Sequence, residues 1–428
     1  MTNKVSFFWF RRDLRLEDNK GLFEALISGR KIIPIFIFDE EILDKLPKDD
    51  ARVSFIHETL SSINKQLKLY DSSLLVEIGN PLEVWVNLTN KYNIEAVYAN
   101  KDYEPYAIKR DAKIEEFLVL KNIHFKAFKD QVIFEESQVV KNDGLPYTVF
   151  TPYKNKWLQH FSKEKDTQEF KINFDNFYQF TSEFPSLNSI GFLQSLIKVK
   201  PYNLSDLEYY DEVRDFPSQD KTSYLSPYFR FGLVSVRKMV KFALKVNATF
   251  LSELIWREFF MQILFHFPKV VTNNFRQKYD AVPWRNNEAE FKKWCQGKTG
   301  YPMVDAGMRE LNRTGYMHNR VRMITAGFLC KHLLIDWSWG EAYFAEKLLD
   351  YELSANNGNW QWAAGTGCDA APYFRVFNPE AQLKKFDKDL IYIRKWIEDF
   401  DELTYPQPMV DHKFARERAI ATYKKALQ

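Results

Sequence analysis

Three cysteines in 428 residues, at positions 295, 330 and 368, are too few and too scattered for a disulfide framework or a metal-ligand spacing. An odd count without a framework points to a reducing cytoplasm and to a protein that holds no metal. Long apolar runs are missing too. No stretch approaches the roughly 18 residues of a membrane span. The N-terminus, MTNKVSFFWFRRDLR, enters a strand-like run at once and lacks the charged-then-apolar layout of a signal peptide. The net charge of +3 is too small to imply a partner by itself. Internal repeats, coiled-coil heptads and low-complexity tails are absent. What is abundant is aromatic: 16% of residues, with eight of the eleven tryptophans beyond residue 250.

Along residues 5–130 the pattern alternates between two periods. Short apolar runs, VSFFWF, KIIPIFIF, SLLVEIG and EAVYAN, are separated by helical patterns such as RVSFIHETLSSINKQL and AIKRDAKIEEFLVL. This alternation predicts a parallel, Rossmann-like sheet with helices on both faces. Yet no G-x-G-x-x-G follows the first strand, where RRDLRLEDN stands instead. Without those glycines the backbone cannot approach a pyrophosphate, which argues against a nucleotide-dependent oxidoreductase. Residues 131–200 read as an interdomain connector. From 201 to 428 strand signals vanish and helical patterns dominate, predicting an all-helical C-terminal domain.

Polar groups then fall where a helical core would not place them. Glu253, Trp256, Arg257 and Phe260 share one stripe of a mostly apolar helix. Asn319, Arg322 and Met323 share another, with Arg320 turned away. A buried arginine needs a partner, and LLDYEL supplies Asp350 and Glu352. Arg309, Arg313, Arg320, Arg322 and Lys331 make residues 309–331 a candidate phosphate-facing helix. Ser226-Pro227 reads as an N-cap followed by proline, with Thr222 and Ser223 just upstream, a hydroxyl cluster suited to phosphate. In ANNGNWQWAAG, Trp360 and Trp362 lie two apart and so face opposite sides of a helix.

Three long segments carry a resemblance: SELIWREF, WCQGKTGYPMVDAGMRELNRTGYMHNRVRMI and ANNGNWQWAAGTGCDAAPYFRVFNP. With FFWFRRDLRLEDN and YPQPMVDHKFAR they span nearly the whole chain. They resemble the DNA photolyase/cryptochrome family, most closely the bacterial class I photolyases acting on cyclobutane pyrimidine dimers. The resemblance implies the photolyase/cryptochrome fold: an α/β antenna domain followed by a helical domain binding FAD and DNA. It implies light-driven repair of UV-damaged DNA, with reduced anionic FAD as the electron donor to the dimer.

By match to the family, Tyr210, Thr222, Ser223, Tyr224, Leu225 and Ser226 would line the cofactor's ribityl and diphosphate portion, beside Phe250. Arg257, Arg322, Asp350, Tyr351 and Glu352 would surround the flavin ring, and Asn356 would face flavin N5. Trp360, Trp337 and Trp284 would form an electron-transfer chain to the surface. Trp362 and Trp256 would wall the flipped lesion, with Glu253, Asn319 and Met323 against its bases. Arg320 and Arg214 would hold DNA phosphates. Phe250 and Tyr316 stand where bacterial relatives often have tryptophan.

Folate-binding relatives place Asn-Glu where this chain has Tyr106-Ala107. That disfavours a methenyl-folate antenna and leaves a deazaflavin, another flavin or no antenna. Two rivals share the fold. Signalling cryptochromes usually carry a long C-terminal extension, whereas here the sequence stops soon after HKFARERAIATYKKALQ. A (6-4) photolyase would need histidines in the lesion pocket, where this chain has Asn319 and Met323, with His318 about 100° away on the same helix. The expectation is a monomeric cyclobutane-dimer photolyase.

Overall fold

The computed structural model describes residues 4–428, which divide into two compact units. The first comprises residues up to 138, 160–201 and 225–245; the second comprises 139–159, 202–224 and 246–428.

The first unit is built on five parallel strands in the order β3-β2-β1-β4-β5. They are β1 Val5–Phe10, β2 Lys31–Asp39, β3 Leu75–Gly79, β4 Ile94–Asn100 and β5 His124–Phe128. Alternate residues of a strand face opposite sides, and here both sides are covered. Phe8, Phe10, Ile32 and Phe36 pack into one core with Leu22, Ala25 and Leu60. Phe7, Trp9, Ile33 and Ile35 pack into the other with Val84, Trp85 and Ile114. Four of the five strands are the expected apolar runs. The fifth, HFKAF, was not among them, because it is a largely solvent-facing edge strand without a buried apolar signature.

The expected connector is not a separate element. Residues 160–201 belong to the first unit, where Phe177, Ile190 and Phe192 enter the core beside Ile32. Residues 139–159 belong to the second. Residues 225–245, expected in the helical domain, also lie in the first unit. A buried ionic network explains this: Arg237 Nη2 donates to Asp130 Oδ1 at 2.8 Å and its Nε to Asp18 Oδ2 at 3.2 Å, while Arg15 Nη2 donates to Asp130 Oδ2 at 2.6 Å. Lone charges there would be costly; four in alternation satisfy one another.

The second unit is helical, and no strand follows β5 among the described residues. Six of its helices matter below: α1 Phe150–His160, α2 Ala248–His266, α3 Pro302–Thr314, α4 Asn319–Gly327, α5 Trp337–Lys347 and α6 Leu353–Ala364. The expected helix 309–331 is broken. Gly315, in left-handed backbone at φ 70°, ends α3. His318 then caps α4, its side chain accepting from the Arg320 N–H at 3.2 Å. The chain continues as one π-helical turn, Phe328–His332. Tyr153 and Trp157 anchor α1 to α2 through buried Glu258, which accepts from Trp157 Nε1 at 2.7 Å.

Candidate functional site

In the second unit α4, α5 and α6, with the turn joining α5 to α6, enclose a cleft of about 610 Å³ that opens to solvent. Leu348 leaves the helical region at ψ 129°, so LLDYEL is not one helix, and Asp350 and Glu352 lie in the turn. This turn carries both carboxylates to the cleft. Arg322 Nη2 donates to Asp350 at 2.9 and 3.2 Å. Arg257 on α2 comes within 3.8 Å of Glu352. Asn319 and Met323 line the same cleft from the first turns of α4, as their spacing predicts.

Asn356 sits on α6 at the cleft wall. Its amide nitrogen donates to Glu341 twice, to Oε1 at 2.8 Å and to the backbone carbonyl at 3.1 Å. This fixes the amide orientation and leaves Oδ1 for a ligand. Burial pushes the Glu341 carboxyl above its usual range, with the Asn356 hydrogen bond opposing. Sequence reasoning missed Glu341. The available signal was an acid at i, i+3 and i+7 with Phe344 and Leu348, which both line the cleft.

The two tryptophans of α6 part company as expected. Trp360 is 2% exposed and meets Phe344 edge-to-face at 4.9 Å. Its seat exists because residue 340 is glycine: a Cβ there would lie 2.1 Å from the indole. Trp362 stays partly exposed at the cleft. Trp337 is buried on α5, its Nε1 donating to Asn274 at 2.8 Å. Trp284 is partly buried against the same core.

Three expectations change. Trp256 does not line the cleft: Phe150 stacks on its ring at 3.6 Å and 9°, and Phe260 packs on it at 5.4 Å and 28°. Both are intramolecular aromatics, so the partly buried ring already has its packing partners within the chain. Glu253 and Arg214 pair with each other at 2.6 Å, with Arg214 5.1 Å above the Tyr210 ring and Tyr210 edge-on to buried Phe250. The candidate basic helix is no open phosphate patch. Arg309 pairs with Asp399, Arg313 with Glu398 and Arg320 with Asp215. Lys331 is buried.

The hydroxyl cluster also differs. Leu225, not Ser226, precedes the short helix Ser226–Arg230 as its cap, and Ser226 is exposed in its first turn. Leu225 and Ser226 lie in the first unit, whereas Thr222, Ser223 and Tyr224 lie in the second. Tyr224 adopts a strained φ of 51°, its hydroxyl bonded to Asp220 and its ring edge-on to Tyr316. His318, expected about 100° from Asn319 on the same helix, is instead the residue that caps that helix. Burial pulls its imidazole down to about 4, so the ring that caps α4 is neutral near pH 7.

In the first unit, at the carboxyl end of the sheet, Tyr106 donates to Asp39 at 2.6 Å and Ala107 is buried. Trp9 lies beneath two guanidinium groups, Arg11 at 5.0 Å and Arg110 at 4.8 Å.

Among the described residues no helix is long and apolar enough to cross a membrane, and no cluster of His, Cys, Asp or Glu could hold a metal. Two family models match the chain: DNA photolyase over residues 6–171, and the FAD binding domain of DNA photolyase over residues 250–404. A deoxyribodipyrimidine photo-lyase of Synechococcus sp. is 34% identical, aligned over 98% of this chain and 96% of its own length. Among solved structures, a bacterial class III photolyase from Agrobacterium tumefaciens gives a TM-score of 0.88 at 32% identity, covering 100% of this chain and 98% of that one. An archaeal photolyase from Sulfolobus tokodaii, solved with two FAD molecules, gives 0.84 at 35%, covering 98% and 100%. With both halves matched by family models and relatives aligned end to end, the chain belongs to the DNA photolyase family.

Proposed function

We propose that this protein splits cyclobutane pyrimidine dimers in UV-damaged DNA with blue light, acting in the cytoplasm as a monomer. The observation that carries the reading is the cleft itself. One wall offers the Arg322 guanidinium and the Asp350 and Glu352 carboxylates; another offers Asn356 Oδ1, held by Glu341; buried Trp360 lies behind. These groups suit a flavin, whose ring carries N–H donors, carbonyl acceptors and, when reduced, negative charge. Bound FAD supplies the light-driven electron.

The remaining work falls to side chains of this chain. Arg322, kept in place by Asp350, would balance negative charge in the cleft, and Asn356 would accept from the flavin edge. Tyr210, Thr222, Ser223 and Tyr224 would hold the ribityl and diphosphate part. Trp360, Trp337 and Trp284 would relay electrons inward from the surface. On the substrate side, Trp362 would stack on the flipped base and Met323 would fill apolar space. The Asn319 amide can donate to a base carbonyl. Glu253, ion-paired with Arg214, is an acceptor and suits a base N–H rather than a carbonyl.

The preference for cyclobutane dimers rests on His318. Conversion of a (6-4) product moves a group between bases and needs a proton donor. A neutral imidazole whose lone pair is engaged in capping α4 is not one. A non-folate antenna is favoured, since the Tyr106 hydroxyl is bonded to Asp39 and Ala107 is buried. Reduced, FAD-loaded protein illuminated with each defined lesion, and the products separated by chromatography, tests the reading. Thymine monomers from the cyclobutane dimer and unchanged (6-4) product are expected; efficient (6-4) conversion would contradict it.

A further inference from the structure

The middle member of the tryptophan path is tied to a carboxylate through a single amide. Trp337 is 4% exposed and is the first residue of α5, where the helix dipole places partial positive charge. That setting disfavours a cation on the indole. The neighbouring Asp336 carboxylate is engaged in capping, accepting from the Ser338 N–H at 2.9 Å. The Trp337 indole N–H points to a different segment: Nε1 donates to Asn274 Oδ1 at 2.8 Å. Asn274 Nδ2 in turn donates to Asp280 Oδ1 at 2.7 Å, and the Asn274 backbone N–H donates to the same oxygen at 3.3 Å. Donor chemistry fixes the orientation of this amide, because an indole N–H can only give and a carboxylate can only accept. Asn274 is half-buried and Asp280 is exposed, on either side of the short 3₁₀ turn Gln277–Tyr279. Neither residue lines the cleft.

We propose that Asn274 and Asp280 are positioning residues of the electron path: they stabilise Trp337 as a protonated radical cation and so draw the oxidising equivalent away from Trp360. The proposal rests on the assignment of Trp360, Trp337 and Trp284 as that path, with light-excited oxidised flavin as the first oxidant. In the step concerned one electron passes from Trp337 to the Trp360 radical cation. Neutral Trp360 and the Trp337 radical cation result. No bond breaks: the Nε1–H proton stays, since a carboxamide oxygen is too weak a base to keep it. The Asn274 carbonyl dipole faces the indole N–H, and the Asp280 carboxylate polarises that amide further, so both favour the cation. They offset the helix dipole at the start of α5. Because the carboxylate is exposed, its share of the effect is screened by salt.

Transient absorption of the FAD-loaded protein after a blue flash tests this, in a Trp284→Phe background where the oxidising equivalent stops at Trp337. Asp280→Asn keeps a side-chain oxygen for Asn274 and removes only the charge. It should shift the equilibrium from Trp337 back toward Trp360, and so speed decay of the tryptophan radical about 3- to 10-fold, the size of a partly solvated charge interaction. Asn274→Leu, which keeps the side-chain volume and removes both bonds, should speed it at least as much. The Asp280→Asn effect should shrink as salt is raised to about 1 M. A reading independent of the flavin is the Trp337 indole N–H resonance of nitrogen-labelled protein in the dark, which should move upfield in Asn274→Leu. Unchanged decay in Asp280→Asn at low salt, a change that salt leaves untouched, or an unmoved indole resonance overturns the proposal while leaving the tryptophan path intact. Absence of any tryptophan radical in the wild type with FAD bound would overturn the path itself, and the proposal with it.

Discussion

Two groups of charges in this molecule obey the same electrostatics to opposite ends. In the first unit Arg15, Arg237, Asp18 and Asp130 are all at most 8% exposed and bond to one another at 2.6–3.3 Å. Burial alone would raise the Asp130 carboxyl, but Arg15 and Arg237 outweigh it and hold it below the usual range. Of its buried nitrogens only Arg15 Nε is left without a hydrogen-bond partner. Around the cleft of the second unit the pairs are looser: Arg322 is 29% exposed while holding Asp350, and Arg257 stands 3.8 Å from Glu352. A closed network stabilises a fold. An open one keeps hydrogen-bonding capacity for something that arrives later.

The sharpest way to break this comparison is to remove one charge from each region. Asp130→Asn should destabilise the protein by about 3–5 kcal/mol, because two buried guanidinium groups lose a partner. Urea unfolding measures it. Arg322→Met should cost less, about 1–3 kcal/mol, because the Asp350 carboxylate, 7% exposed, loses its partner beside an open cleft, yet weaken FAD binding about 10- to 150-fold through loss of a charge-assisted contact. Flavin fluorescence titration reads the second effect. If the two substitutions gave the same stability loss and the same FAD affinity, the distinction would fail.

A second pair divides the tryptophans. Trp256→Ala should cost about 3 kcal/mol of stability, since Phe150 and Phe260 lose their packing partner. Trp362→Ala should leave stability nearly unchanged and weaken binding to dimer-containing DNA about 5- to 150-fold at fixed salt, the worth of one stacked base. Wild-type lesion affinity in Trp362→Ala would move the stacking role elsewhere.

The smallest effect concerns pH. Burial depresses His318 from 6.5 to about 4, so it contributes stability that is complete above about 6.5 and is lost as pH falls through 4. Protonation would also remove the lone pair that caps α4. His318→Asn, which can still cap, should flatten the acid side of the stability profile. An unchanged profile would mean the imidazole is solvated.

Much of this was legible in the sequence. Strands β1 to β4 announced themselves as apolar runs, because a parallel sheet covered on both faces needs apolar residues throughout. Asn319, Arg322 and Met323 could be placed on one face from helical spacing alone. What the sequence could not reveal was which partner each polar group would choose. Arg214 takes Glu253, Phe150 takes the face of Trp256, and Asp18 and Asp130 claim Arg237. Such long-range pairings leave no periodic trace. The unit boundaries failed for the same reason: residues 160–201 and 225–245 follow cores and ion pairs set far away in the chain.

The central claim is that the open charges of the cleft hold a flavin that drives chemistry on a damaged base. Its most direct test is the number of thymine dimers repaired per bound FAD by the reduced protein, under blue light and in the dark. The account expects many dimers repaired per flavin in the light and none in the dark. Full FAD occupancy with no light-dependent repair would contradict it.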